Sequence, residues 1–181
     1  MEKIIAAIRS DEELEYALTS NVELIFDLSP DINNIKERLT KAHNASKRLF
    51  IHLDLATGIG KDESGIIFLK NLGIDGIIST RTNIVKAAKA HGIFSVQRFF
   101  IVDSHSISTT LESLKASKAD MIEIMPGTVS KVIRSLCITM VTPIIAGGLI
   151  ETEHEVYVAI TNGAAAVSTG KKELWKIHYC R

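Results

Sequence analysis

The residues able to do chemistry recur in one kind of place, at or near the ends of short apolar runs. Asp27 closes VELIFD, Asp54 follows LFIHL, Gln97 and Arg98 interrupt FSVQRFF, and Glu123 sits inside MIEIM. Lys61 follows the glycine loop ATGIG. Two further runs, PIIA and AAAV, end in small residues, Gly147–Gly148 and Ser168–Thr169–Gly170. Paired glycines let a ligand approach the backbone, because no Cβ intervenes. Amides left free at a following helix start favour an anion. Two such turns on neighbouring parallel strands make the phosphate site common after strands seven and eight of a (β/α)8 barrel. Carboxylates across the same mouth accept hydrogen bonds from hydroxyls. The pattern therefore suits a small polyol phosphate.

Each residue also has a structural reading. Asp54 reads as a ligand group ahead of a helix cap. Glu123 lies among apolar residues, where a carboxylate is costly unless paired or bound. Its two partners are a ligand and Arg98, and the sequence leaves both open. Arg98 can instead clamp an anion with its two-pronged guanidinium. Lys61, beside Asp62 and Glu63, also reads as a solvated helix start. His52 and Asp54 fall on one face if the strand continues through both, since strand side chains repeat every two residues. His52 reads as a packed strand residue, and Asp27 as the residue before a Ser-Pro-Asp helix start. No Cys/His cluster suggests a metal, and no Ser/His/Asp spacing suggests a covalent nucleophile.

The elements that must hold these residues alternate along the whole chain. Expected strands are Ile4–Ile8, Val22–Phe26, Leu49–Leu53, Gly76–Ile78, Phe94–Phe99, Met121–Ile124, Pro143–Ala146 and Ala164–Val167, by their apolar runs. Helical segments follow each, opened by Ser, Asp or Thr and stopped by glycines such as Gly73 and Gly92. The last is short, Glu173–Ile177. Strict alternation implies a parallel sheet. Eight units make an α/β protein with a compact (β/α)8 barrel of TIM type the economical fold. The spacing is near the minimum for a strand, a helix and two turns, so 1–181 reads as one domain without an inserted one. An open doubly wound sheet lacks support, because no Gly-x-Gly-x-x-Gly follows the first strand.

Composition narrows the class further. The chain is 46% hydrophobic with zero formal net charge, which argues against disorder and against a generally basic nucleic-acid domain. Any RNA contact must use a local patch. The candidate clusters are Lys36, Arg38 and Lys41; Lys86 and Lys89; Lys131 and Arg134; and Lys171, Lys172 and Arg181. Each also reads as a solvated helix face. Two cysteines, Cys137 and Cys180, read as free thiols of a reducing cytoplasm. The first apolar run is five residues long, too short for a signal-peptide core or a membrane span.

Five segments appear in order: HLDLATGIGKDESGIIFL, SVQRFFIVDS, IEIMPG, TPIIAGGLI and AAVSTGKKELW. Together they resemble the glycerol-3-phosphate responsive antiterminator family, the glycerol uptake operon antiterminators of bacteria. The likeness runs from Ile4 to Trp175. It implies a (β/α)8 barrel that binds the effector glycerol 3-phosphate, uses no cofactor, and in its liganded form binds the leader mRNA of glycerol-metabolism genes to prevent termination. It also implies the ligand set Asp54, Lys61, Arg98, Glu123, Gly147, Gly148, Ser168 and Thr169. One departure is visible: Gly170 stands where the family often has a further small hydroxyl residue. A homodimer is compatible with this role. The alternative from another class is an aldolase, isomerase or lyase acting on a small sugar phosphate on the same barrel, since fold alone does not fix chemistry. A ligand-gated regulator requires a piece that orders on binding, and the glycines at 58 and 60 make the loop after strand three the expected one.

Overall fold

The computed structural model describes residues 3–178. Eight strands alternate with seven α-helices among them: β1 (Ile4–Ile8), α1 (Asp11–Leu18), β2 (Leu24–Asp27), α2 (Ile35–Asn44), β3 (Arg48–His52), α3 (Glu63–Leu72), β4 (Gly76–Ser79), α4 (Thr82–Ala90), β5 (Phe94–Phe100), α5 (Ser104–Ser117), β6 (Met121–Met125), α6 (Ser130–Thr139), β7 (Ile144–Gly147), α7 (Glu153–Thr161) and β8 (Ala166–Thr169). All strands are parallel to their neighbours, and β8 closes on β1 with Ile4 opposite Val167 and Ala6 opposite Thr169. The expected closed (β/α)8 barrel is the fold.

Alternation along the strands builds two cores. Ile5, Leu24, Phe26, Phe50, Ile78, Val96, Met121, Ile145 and Ala166 fill the barrel interior. Their neighbours in sequence, such as Ile25, Ile51, Ile77, Ile122 and Val167, pack outward against the helices. Both faces are buried, which is why the strands read as unbroken apolar runs. Phe26 stacks on Phe50 at 5.8 Å between ring centroids, and Phe50 meets Phe94 at 5.4 Å. This aromatic file demands a glycine beside it: a Cβ on Gly76 would stand 2.8 Å from the Phe50 ring.

Local chemistry sets the helix ends. The Ser10 side chain accepts a hydrogen bond from the Glu13 amide, and Asp62 accepts from Gly65. Asp103 with Ser106, and Thr152 with Glu155, form reciprocal capping boxes. Gly73, at φ +82°, ends α3 in the left-handed conformation.

Three expectations need correction. The eighth helix is a 3-10 turn, Lys172–Lys176. Tight winding lets the buried Trp175 donate its indole N–H to the Thr169 carbonyl at 2.8 Å while packing on Tyr16. Helix α2 starts at Ile35, not at the Ser-Pro-Asp segment, because Asp31 first holds a turn by accepting from the Asn33 amide at 2.8 Å. A 3-10 turn at Leu53–Leu55 ends the alternation of β3, so His52 and Asp54 do not share a strand face.

Asp27 points outward, away from the barrel interior. It is fully buried; Arg38 Nη1 donates to both of its oxygens at 2.9 Å, and the Ser29 amide donates to Oδ1 at 3.0 Å. Arg38 also reaches Asp11 at 2.8 Å. This removes Arg38 from the surface cluster in which its spacing placed it, and Lys41 of the same cluster is bound to Glu15 and Glu37. Arg38→Met would leave the Asp27 carboxylate buried and unpaired. Urea unfolding should show a loss of about 3–5 kcal/mol, the usual penalty for removing one partner of a buried pair.

Candidate anion site at the barrel mouth

In a parallel barrel the C-terminal strand ends share one mouth. The inward positions there are His52 on β3, Arg98 on β5, Glu123 on β6, Gly147 on β7 and Ser168 on β8. Arg98 and Glu123 are register partners, as are Gly147 and Ser168. Glu123 is fully buried. Arg98 Nε donates to its Oε2 at 2.5 Å, and the Ser168 hydroxyl donates to its Oε1 in a short bond. Of the two partners the sequence left open for Glu123, the structure seats Arg98. The carboxylate crosses β7 to reach Ser168 because Gly147 has no side chain; a Cβ there would collide with Glu123 Oε1 and Ser168 Oγ. Gly147 is thus a window for the carboxylate.

Beside this network lies a cavity of about 390 Å³, lined by Ala7, Arg9, Leu28, Arg98, Met125, the loop Gly148–Glu151 and the turn Ser168–Lys171. Its lining holds several hydrogen-bond donors. Arg98 is buried, and its Nη2 has no partner among the described residues. Arg9 follows β1 and brings a second guanidinium. The amides of Gly148, Leu149 and Gly170 donate to no protein acceptor among the described residues. Gly148 (φ +74°) and Leu149 (φ +58°) are both left-handed, a conformation costing a leucine roughly 1–2 kcal/mol. Thr169 braces the two turns together: its hydroxyl donates to the Ile150 carbonyl at 2.7 Å and accepts from the Lys171 amide at 3.0 Å. Lys171 Nζ stands 4.0 Å from Glu151 at the rim.

The sequence candidates therefore divide. Arg98, Gly148, Ser168 and Thr169 line the cavity. Glu123 and Gly147 lie beneath it and fix Arg98 and Ser168. The Ser168 hydroxyl proton is committed to Glu123. Asp54 and Lys61 are not in the lining. Asp54 accepts from Ser79 Oγ at 2.8 Å, Thr80 N at 2.7 Å and Thr80 Oγ1 at 2.9 Å, tying the start of α4 to β3. Burial pushes its carboxyl up, but the Thr80 amide and the two hydroxyls outweigh that and hold it below the usual range. Lys61 is exposed on the loop before α3. That loop is anchored: Thr57 N donates to Pro30 O at 2.9 Å, and Ile32 N to Thr57 O at 3.0 Å. Gln97 faces outward and donates to Thr82 Oγ1. Sequence reading missed Arg9, although it obeys the same strand-end rule; β1 showed only its apolar run. Cys180 and Arg181 lie outside the described residues. Among those residues no group of three His, Cys, Asp or Glu is placed to hold a metal, and no helix is long and apolar enough to cross a membrane.

His52 is buried in the same layer, and its Nδ1 has no partner among the described residues. Burial, then the Arg98 cation, pull its pKa down to about 4. The unfolded chain takes up this proton near pH 6.5 while the folded chain still refuses it. Stability from this group is therefore complete above pH 6.5 and is lost as pH falls to about 4. The loss is of order 3 kcal/mol. Denaturant melts of wild type and His52→Gln across pH 4–7 should converge as the pH drops. For the network, Gly147→Ala should displace Glu123, lower stability by about 1–3 kcal/mol and weaken anion binding at the cavity, read by urea unfolding and by calorimetric titration with phosphate.

Similar proteins now bear on this geometry. The family model for the glycerol-3-phosphate responsive antiterminator matches residues 4–175. The uncharacterized protein YgcP of Escherichia coli is 38% identical over 175 residues, 96% of this chain and 92% of that protein. The glycerol uptake operon antiterminator regulatory protein of Listeria monocytogenes superposes with a TM-score of 0.92 at 33% identity, over 97% of this chain and 96% of that one. A glycerol uptake operon antiterminator-related protein of Thermotoga maritima does so with 0.87 at 34% identity, over 98% and 100%. A solved aldolase barrel at 13% identity shares the fold alone. A match over nearly the whole chain places this protein in the glycerol-3-phosphate responsive antiterminator family.

Proposed function

We propose that the protein is a transcription antiterminator whose RNA affinity is set by glycerol 3-phosphate bound in the mouth cavity. The observation that carries this reading is the unpartnered Arg98 Nη2 at a cavity shared with Arg9 and the free amides of Gly148, Leu149 and Gly170. A phosphate offers acceptors to all of them. Buried donors without partners are costly when empty, so filling them favours the phosphate ester over free glycerol. Glu123 positions Arg98 and Ser168 and has both oxygens engaged, which leaves it poorly placed to serve as a proton acceptor for a substrate. That favours an effector held over a substrate turned over.

A ligand shifts a conformational equilibrium only by its differential affinity for the two states. The loop Gly148–Glu151, with two successive left-handed residues and the exposed Leu149, is the segment whose amides the anion would tie down. Ordering it supplies that difference.

Calorimetric titration should show glycerol 3-phosphate binding and glycerol binding at least 100-fold more weakly. Arg98→Gln should cost about 10-fold or more in affinity, the scale of a charge-assisted hydrogen bond. In a mobility-shift assay on the leader transcript of a glycerol-metabolism operon, adding glycerol 3-phosphate should tighten RNA binding. RNA should tighten ligand binding by the same factor. Equal binding of glycerol, or chemical conversion of the ligand without RNA binding, would replace this reading with an enzyme.

A further inference from the structure

We propose that the face opposite the ligand mouth is the RNA-binding surface, with Phe94 as a platform on which a base of single-stranded RNA stacks. This rests on the regulatory reading above and adds a location and a mode of contact to it.

The alternation that points Phe50, His52, Val96 and Arg98 into the barrel also aims Lys3, Arg48 and Phe94 at its other opening, where the strands begin. Phe94 is the first residue of β5 and is 41% exposed, although it is a large apolar ring. Its inner side rests on Phe50, and Phe50 rests on Phe26, so the ring is held rigidly from behind. Arg48, the first residue of β3, is exposed on the same floor. Around the rim, α4 and α5 end in a cleft of about 380 Å³ lined by Lys86, Lys89, Ala90, Ala116, Ser117 and Lys118, with no carboxylate in the lining.

Charge supports the same partner. Of the carboxylates on this face, Asp75 and Asp120 are committed to the protein, and Glu23, exposed just before β2, is set against the cations. Asp75 accepts from the Leu49 amide, and Asp120 from the Ser95 amide and hydroxyl and from Lys89. The exposed cations Arg48, Lys86 and Lys118 have no such partners among the described residues. Lysines in the last turn of a helix complement its dipole, which accounts for Lys89. It does not account for an arginine on β3 or for an exposed phenyl ring. An aromatic platform inside a ring of cations is what single-stranded nucleic acid requires: bases stack on the ring while phosphates meet the lysines. Strand β5 carries Phe94 at this end and Arg98 at the other, about 13 Å apart at the strand rise. A shift of Arg98 on ligand binding thus has a direct mechanical route to the platform.

The test uses the full chain, with Phe94→Leu, the double variant Lys86→Gln/Lys118→Gln, and the control Lys131→Gln/Arg134→Gln on α6. Glycerol 3-phosphate titration and thermal melting check that fold and mouth are intact. Binding to the glycerol-operon leader transcript is then measured with glycerol 3-phosphate across a salt series. Phe94→Leu should weaken RNA binding about 10-fold. The Lys86/Lys118 variant should lower the salt slope by about 1.4, for two phosphates of a single strand. The control should stay within about twofold of wild type. If wild type binds the RNA and the variants of this face bind equally well, this location is wrong while the regulatory reading stands. If wild type binds no RNA even with ligand, the regulatory reading falls and this surface with it.

Discussion

The mouth of this barrel depends on one buried ion pair. Glu123 and Arg98 sit side by side on β6 and β5, out of water, with Ser168 supplying the second bond to the carboxylate. Taking two such charges from water is expensive, and the Coulombic return covers it only when the remaining polar atoms find partners. Here one set is left over. Arg98 Nη2 has no protein acceptor among the described residues, and it belongs to a residue lining the cavity. Under the proposed function, the phosphate supplies the missing acceptor. Gly147 belongs to the same constraint, since any side chain there would push Glu123 off Ser168.

A second buried pair, Asp27 with Arg38, has a different consequence because of one residue of parity. Asp27 closes β2 much as Asp54 follows β3, yet it faces the helix layer, where Arg38 of α2 fills both of its oxygens. Asp54, carried on a 3-10 turn past the strand end, is spent on the start of α4. Three acidic residues at strand ends thus do three things: one braces a helix, one braces a loop and one sets an arginine at the cavity. This divergence is how a common barrel hosts unlike functions.

The ends of the barrel also differ electrostatically. Helices start at the mouth, where caps such as Ser10, Asp62, Asp103 and Thr152 satisfy their first amides. In the turns after β7 and β8, the amides of Gly148, Leu149 and Gly170 have no acceptor among the described residues. At the opposite end α2, α3, α4 and α5 carry Lys41, Lys70, Lys89 and Lys115 in their last turns, and β3 and β5 begin with Arg48 and Phe94.

The closed parallel barrel, the small-residue turns after β7 and β8, and Arg98 with Glu123 as charged residues of the interior were all legible in the sequence. Each rests on local information: apolar runs of strand length, glycine and hydroxyl turns, and a charge where burial is costly. Which partner each charge takes was settled by packing. Arg38 looked like a surface cation until α2 packed it over Asp27, and Asp54 looked like a ligand group until β4 brought Ser79 and Thr80 to it. Gly147 and Gly148, adjacent in sequence, were separated into a window for Glu123 and a lining for the cavity. Arg9 became visible only when β1 closed on β8. The physical reason is the same in each case: partners across a closed barrel come from residues far apart in the chain, and a one-residue change in strand parity sends a side chain to the opposite face.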